Sequence, residues 1–274
     1  MTDYTIEIYC FLDDYLNTVQ KKAVSKTTTN TQLITTVLVA AKYFSGNWVK
    51  ARCYLRENHG FVYADKSNFN RAIHKLSQTI SLLFLTLGQL LQELNTDNIY
   101  LIDSFPVAVC KHIRIKHRSK LLGDYNPAYH GYNSSKKEYF YGFKIQVITT
   151  GDGIPIQYFI VAGSYHDNTA FQSMNIDLPK EAELYGDSAY TYYELEDLYK
   201  ECDSINLMIE RKSNSLRKDS PAMVFWKKQI RKRIETTFSE ITADFPKKIH
   251  AVTPQGFILK VILFIFAYTF NRLV

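Results

Sequence analysis

The feature that most constrains the fold is a series of β-prone and helical segments that begins near residue 98. Three β-prone segments come first, and helical and β-prone segments then alternate. In chain order they cover residues 98–103, 139–150, 154–162, a short helix from Asp167, 183–185, a helix over 191–202, 205–210 and a helix over 222–241. This order predicts an α/β fold, with a mixed five-stranded sheet flanked by helices.

A helical pattern fills the chain before that series. From Phe69 to Leu94, apolar residues recur at alternating steps of four and three, which predicts one helix of about 27 residues. This seam is equally consistent with a dimer contact and with burial inside its own domain. We therefore predict an all-α N-terminal domain over residues 1–95 and an α/β domain over residues 96–274.

The most apolar segment, Phe257–Phe270, is interrupted by Lys260. It is shorter than the ~20 apolar residues that a membrane span needs. We predict a buried helix that packs on the sheet core, and no membrane partner.

Two helical segments joined by a short loop resemble a helix-turn-helix. The first covers about residues 49–55, and the second starts after Ser67, a predicted N-cap. Asn70 and Arg71 lie on polar positions at the start of the second helix, where such motifs present side chains to base edges. We expect both residues to contact DNA, although any solvated helix start gives a similar pattern.

Positive charge is concentrated in two segments. The whole chain has 33 Lys and Arg against 27 Asp and Glu, yet residues 211–233 hold nine basic residues and one acid, and residues 111–120 hold five and none. Clustered cations favour a polyanion because binding releases counterions from phosphates. A solvated loop or helix face would explain either segment alone. The predicted DNA contacts here are Lys111, Arg114, Lys116, Arg118, Arg211, Lys212, Lys227, Lys228, Arg231, Lys232 and Arg233.

Three acids occupy positions suited to catalysis. Asp103 ends the first predicted strand, Asp187 ends the fourth, and Glu235 lies on the helix over 222–241. Because ligands gather beyond the strand ends of such sheets, these side chains are expected to meet. Each acid also has an ordinary explanation: a turn for either aspartate, and a pair with Arg231 one helical turn away for Glu235.

Three converging carboxylates repel one another unless a cation neutralises them. Oxygen ligands with open coordination positions suit Mg²⁺, with Mn²⁺ as a substitute. Two such ions could activate the attacking oxygen and stabilise the leaving oxygen in a phosphodiester displacement. The sequence thus predicts a metal-dependent phosphodiester chemistry at Asp103, Asp187 and Glu235.

Other chemistries find no support. The four cysteines form no CxxC pair, which disfavours a zinc finger or a disulfide framework and suits a reducing cytosol. The chain has no GxxxxGK[ST] phosphate loop and no Gly-x-Ser-x-Gly. Asp167, within Gly-x-x-His-Asp, is a good candidate for the N-cap of the helix that follows.

The segments around the three acids resemble the motifs of DDE transposases of bacterial insertion sequences. They read LIDSFPV around Asp103, LYGDSAY around Asp187 and RKRIETTFSEI around Glu235. The resemblance covers residues from about 98 to 270. It implies a ribonuclease-H-like catalytic core, with Asp103, Asp187 and Glu235 as metal ligands and Arg231 in contact with DNA or with transition-state charge.

The resemblance implies magnesium-dependent cleavage of element ends and strand transfer into target DNA. The expected partner is double-stranded DNA, as terminal inverted repeats and as target, and joining two ends suggests at least a homodimer on DNA. The expected location is the prokaryotic cytoplasm, with the nucleoid. Two alternatives remain open: a hydrolytic nuclease on the same core, and a non-catalytic DNA-binding relic.

Overall fold

A computed structural model describes residues 1–19, 28–111, 121–133 and 136–273. The chain forms two compact units. The helical unit comprises Met1–Phe84 and Ile241–Val274, and the sheet unit comprises Leu85–Glu240. The sequence predicted a single boundary after residue 95. The division by packing differs from it, because the C-terminal part of the chain packs with the N-terminal helices. The functional boundary at residue 95 stays a prediction.

The helices and strands occur in the predicted order, although several of their bounds differ and one strand is additional. The helices are α1 (Thr2–Val19), α2 (Asn30–Tyr43), α3 (Trp48–His59), α4 (Lys66–Lys75), α5 (Ser77–Leu94), α6 (Asp167–Ser173), α7 (Tyr193–Cys202), α8 (Pro221–Ala243) and α9 (Pro254–Asn271). The strands are β1 (Ile99–Lys111), β2 (His130–Asn133), β3 (Glu138–Thr150), β4 (Pro155–Ala162), β5 (Glu183–Gly186) and β6 (Asn206–Ile209).

Helix α9 is the apolar core of the helical unit. It packs against α2, and the Tyr4 hydroxyl donates a hydrogen bond to the Ala267 carbonyl oxygen at 2.9 Å. Among the described helices, α9 alone has the length and composition to cross a membrane, and 72% of it is buried inside the protein. The prediction of a buried helix is confirmed. The sequence analysis placed it on the sheet core, whereas it belongs to the helical unit and packs against α2.

The long helix predicted from Phe69 to Leu94 is two helices. The chain breaks at Leu76, the C-cap of α4, and α5 begins at the next residue. Asp65, rather than Ser67, caps α4, because its carboxylate accepts hydrogen bonds from the Ser67 and Asn68 amides. The seam residues up to Leu87 are buried except Leu76, which is half-buried, whereas Leu90 and Leu94 are exposed. Burial inside the fold therefore explains most of the apolar seam.

The sheet is mixed, as the sequence predicts, but it has six strands. The order is β2-β3-β1-β5-β6, and β4 also pairs with β3. Strand β1 runs antiparallel to β3 and parallel to β5, and β5 runs parallel to β6. The strand that the sequence analysis missed is β2, whose four residues, His-Gly-Tyr-Asn, carry little β signal. The α/β fold with flanking helices is confirmed.

Strand β1 does not end at Asp103, as the sequence analysis predicted, but continues to Lys111. Pro106 lies in this continuation of β1, although a proline lacks an N–H and usually interrupts a central strand. Strand β5 pairs with β1 only over Ile99–Leu101, so one edge of β1 is free of β5 at the proline. On its other edge β1 remains paired with β3 past this point.

Candidate active site

Asp103 lies within β1, and Asp187 directly follows the adjacent parallel strand β5. Leu101 of β1 is in register with Tyr185 of β5. Asp103 comes two residues after Leu101, and Asp187 comes two residues after Tyr185. Side chains two residues apart on a strand share a face, so the parallel register brings both carboxylates to one edge of the sheet. The expected meeting of these two acids is therefore present in the structure, and the charge on Asp187 raises the pKa of Asp103.

Asp103 is a poorly solvated carboxylate. Burial, assisted by the neighbouring charges of Asp187 and Asp167, raises its pKa from 3.8 to about 7. A hydrogen bond from the Ser104 amide to Oδ1, 2.7 Å long, and the charge of Arg231 act in the opposite direction. Desolvation outweighs them. The Asp103 carboxyl thus lacks full charge compensation in the protein alone.

Asp187 follows β5 directly and caps a short 3₁₀ helix, Ser188–Tyr190, by accepting the Ala189 amide at 2.7 Å. This is the turn role that the sequence also allowed. Burial raises the pKa of Asp187. The preceding residue, Gly186, leaves room for this arrangement, because a Cβ there would lie 2.9 Å from Ile209 Cδ1 and 3.0 Å from Ile102 Cγ2.

Arg231 is the cation that the fold places beside these acids. Its Nη2 lies 3.5 Å from Asp103 Oδ2, and its Nη1 donates to Glu210 Oε1 at 2.8 Å. Burial alone would lower the pKa of Arg231, but Glu210 and the two aspartates raise it. Glu210, which directly follows β6, was missed in the sequence. Its amide donates to the Gly186 carbonyl oxygen, which places it next to the strand that ends before Asp187.

Asp167 belongs to the same cluster, and its prediction as an N-cap is wrong. His166 precedes the first residue of α6 as its cap, without a side-chain bond. The Asp167 carboxylate instead accepts the Ser104 hydroxyl at 2.7 Å and the Gln146 amide at 2.8 Å, and Lys144 Nζ lies 3.3 Å away. The Tyr190 hydroxyl in turn donates to Gln146. The Gly-x-x-His-Asp pattern was the one signal in the sequence for this role.

Glu235 lies one turn after Arg231 on α8, so both residues are on the same face of that helix. It is exposed. Among the residues that the structure describes, no three His, Cys, Asp or Glu side chains are placed to share a metal ion. The structure therefore brings Asp103 and Asp187 together, and the roles of all three acids as metal ligands stay predictions.

The donor set fits a hard divalent cation. Mg²⁺ commonly binds through one or two protein carboxylates and completes its coordination with water and substrate phosphate. Asp103 and Asp187 supply the two carboxylates. Burial raises the pKa of both carboxyls, so a bound cation would favour their ionised forms.

Besides Arg231, three of the predicted DNA-contacting cations are engaged inside the protein. Lys227 is 3% exposed and donates to Asp219 and to the Ile209 carbonyl oxygen. Arg211 forms a two-pronged ion pair with Glu196, at 2.7 and 2.6 Å, and Arg233 Nε donates to the Asp152 carbonyl oxygen.

Burial leaves Lys227 no surface for a phosphate, so its prediction as a DNA contact is wrong. The sequence showed its charge but not Asp219 beside it.

Other predicted DNA contacts remain available to solvent. Lys212, Lys228 and Lys232 are exposed, as is Arg71 on α4. Asn70 is half-buried on the same helix. Arg114, Lys116 and Arg118, and the side chain of Lys111, lie outside the described residues.

The comparisons with known proteins give one match. A family model described as "Transposase DDE domain" matches residues 93–250, a span that includes all three predicted acids. No curated protein and no solved structure matches the chain.

Proposed function

The chain belongs to the transposase DDE domain family, and on that premise we propose that it cuts the ends of a DNA element and transfers them into target DNA. Family membership supports a transposase function. The observation that carries the chemical proposal is the parallel-strand register that sets Asp103 beside Asp187. The proposed substrate is duplex DNA, both terminal inverted repeats and target, bound by a homodimer at least.

We propose that Asp103 and Asp187 hold Mg²⁺, or Mn²⁺ in its place, and that Glu235 completes the ligand set. When bound, the cation would supply Lewis-acid stabilisation of the phosphodiester oxygens. Oxygen donors at matching positions of two adjacent chain segments and their raised pKa values support this assignment.

Arg231 is placed to contribute to the same reaction. Its guanidinium is held between Glu210 and Asp103, and its Nε is buried with no hydrogen-bond partner in the described part of the chain. A planar guanidinium suits phosphate oxygens. We propose that Arg231 orients the scissile phosphate.

The network around Asp167 holds the catalytic residues in position. Its carboxylate joins Ser104, which follows Asp103 in β1, to Gln146 in β3. Gln146 accepts the hydroxyl of Tyr190, which closes the turn capped by Asp187. Both ends of this network are thus within three residues of a proposed metal ligand, so it fixes the two backbones relative to each other.

The test uses the full-length protein and a supercoiled plasmid that carries the DNA flanking its coding sequence. We expect Asp103→Asn and Asp187→Asn each to abolish strand cutting while mobility-shift assays show retained DNA binding. The matched control is Asp124→Asn, which removes an exposed carboxylate and should cut normally. Cutting by Asp103→Asn at a near-normal rate would overturn the assignment.

A hydrolytic nuclease would need the same acids, so a second assay is required. Precut element ends are incubated with a target plasmid, and the products are examined for joined DNA. A transposase gives joined molecules, whereas a nuclease gives only shortened fragments.

The exposed position of Glu235 favours one further candidate, a DNA-binding relic without catalysis. In the described residues, the absence of a three-acid metal cluster also agrees with that candidate. If the protein is such a relic, Mg²⁺ should leave its melting temperature unchanged.

A further inference from the structure

The helical unit contains a cavity that the proposed chemistry does not use. It encloses about 750 Å³, which is within the range of pockets that hold small molecules. Its walls come from the turn between α2 and α3, from α4 and from the segment that leads into α9. Every lining residue belongs to the helical unit.

The charge of the cavity is positive. Lys50, Lys66 and Lys260 line it together with His74 and His250, and within the described part of the chain no Asp or Glu lines it. Lys260 is half-buried and donates from Nζ to the His250 carbonyl oxygen at 2.5 Å. Burial lowers the pKa of Lys260, so a bound anion would favour its charged form. Such a site gains most from an anion.

Two helices of ordinary length begin at the cavity wall. Asn47 caps α3 and Thr253 caps α9, and both caps line the cavity. The amide ends of helices favour negative charge, which adds to the effect of the lysines. Gly256, in the first turn of α9, allows close approach, since a Cβ there would lie 2.9 Å from the His74 ring.

The cavity also has an aromatic wall. Trp48 lines it half-exposed, with Lys260 Nζ 5.0 Å from the ring centroid and His74 edge-on at 6.5 Å. An indole beside several cations combines a stacking surface with phosphate-binding groups. Proteins bind single nucleotides of a DNA strand with this combination.

We propose that this cavity binds one nucleotide of a DNA strand, with its base on Trp48 and its phosphate between Lys66 and Lys260. The choice of DNA rather than another phosphorylated ring compound rests on the proposed transposase function. The site itself rests on the cavity, its charge and its indole. The lining residues of the cavity do not include Asp103 or Asp187. Binding of a nucleotide in the cavity can therefore be measured without DNA cleavage.

The chain provides its own probe. Trp48 and Trp226 are its two tryptophans, so the full-length Trp226→Phe protein fluoresces from Trp48 alone. We expect a 5′-phosphorylated tetrathymidylate to quench this emission saturably. In that background, Lys66→Gln or Lys260→Gln should weaken binding roughly tenfold, as expected for loss of a charge-assisted contact. Lys75→Gln is the matched control, because Lys75 is an exposed lysine of the same helix that does not line the cavity.

Three outcomes would overturn the proposal. They are absence of quenching, equal affinities of the Lys66→Gln and Lys75→Gln proteins, and full competition by an equal concentration of inorganic phosphate, which would reveal a simple anion site. Lys66 is exposed, so Lys66→Gln remains informative if Lys260→Gln fails to fold. If the protein shows quenching but cuts no DNA, the cavity remains a nucleotide-binding site and the proposed transposase function is rejected. If it cuts DNA but shows no quenching, the proposed function stands and the nucleotide site in the cavity is rejected.

Discussion

The guanidinium of Arg231 lies 3.5 Å from the Asp103 carboxylate and 2.8 Å from that of Glu210. One cation thus joins a residue of β1 to the residue after β6, beside Asp187. The charge of Arg231 lowers the pKa of Asp103 against the larger and opposite effect of burial. The consequences of this arrangement are measurable.

Removing Arg231 should destabilise the protein strongly. We expect Arg231→Met to lower the free energy of unfolding by about 3–5 kcal/mol, because two poorly solvated carboxylates lose their partner. Arg217→Met is the comparison, since its pair with Asp197 is exposed and its loss should cost much less stability. Urea denaturation measures both. Equal losses for the two variants would show that the Arg231 cluster is solvated.

Asp103 should make stability depend on pH. Its pKa is about 7 in the folded protein and 3.8 ordinarily, so the folded state holds the proton more tightly than the unfolded state. Its contribution is therefore fully present below pH 3.8 and is lost as the pH rises through 7. The three-unit difference corresponds to about 4 kcal/mol.

The Asp103→Asn protein cannot lose this contribution. Without divalent cations, we expect it to melt with the wild type near pH 4 and well above it at pH 8. Asp124→Asn, at an exposed carboxylate, should follow the wild type throughout. Parallel melting curves for wild type and Asp103→Asn across this range would contradict the raised pKa.

Magnesium should stabilise the wild-type protein at neutral pH. A ligand of the folded state that is present at ten times its dissociation constant adds about 1.4 kcal/mol to the free energy of unfolding. Asp187→Asn should abolish the increase, and EDTA should reverse it in the wild type. An equal increase in the Asp187→Asn protein would place the cation elsewhere.

Two neighbouring lysines of α8 should behave in opposite ways. Lys227 is buried against Asp219, so Lys227→Met should cost several kcal/mol of stability, on the order of 3–5. Lys228 is exposed, so Lys228→Gln should leave stability unchanged. If Lys228 contacts phosphate, its loss should reduce the slope of log affinity for DNA against log salt by about one. An unchanged slope would remove Lys228 from the proposed DNA contacts.

Local patterns predicted most of the elements but not their limits. The alternation after residue 98 predicted the α/β order. It did not predict that β1 continues past Asp103 through Pro106, and the four residues of β2 carry little β signal. Leu76 continued an apolar period, and the helix nevertheless ends there. Periodicity reports which side chains face inward. It does not report where a neighbouring element interrupts the backbone.

The sequence by itself determined the chemical types: an alternating α/β core, Asp103 and Asp187 at strand-associated positions, and a surplus of cations near α8. Tertiary structure alone decided which charges meet. It set Glu210 and Arg231 beside the aspartates, linked Asp167 to Ser104 and Gln146, and buried Lys227 on Asp219. The reason is that strand register and helix packing join residues far apart in the chain, whereas local sequence encodes only the face on which each residue lies.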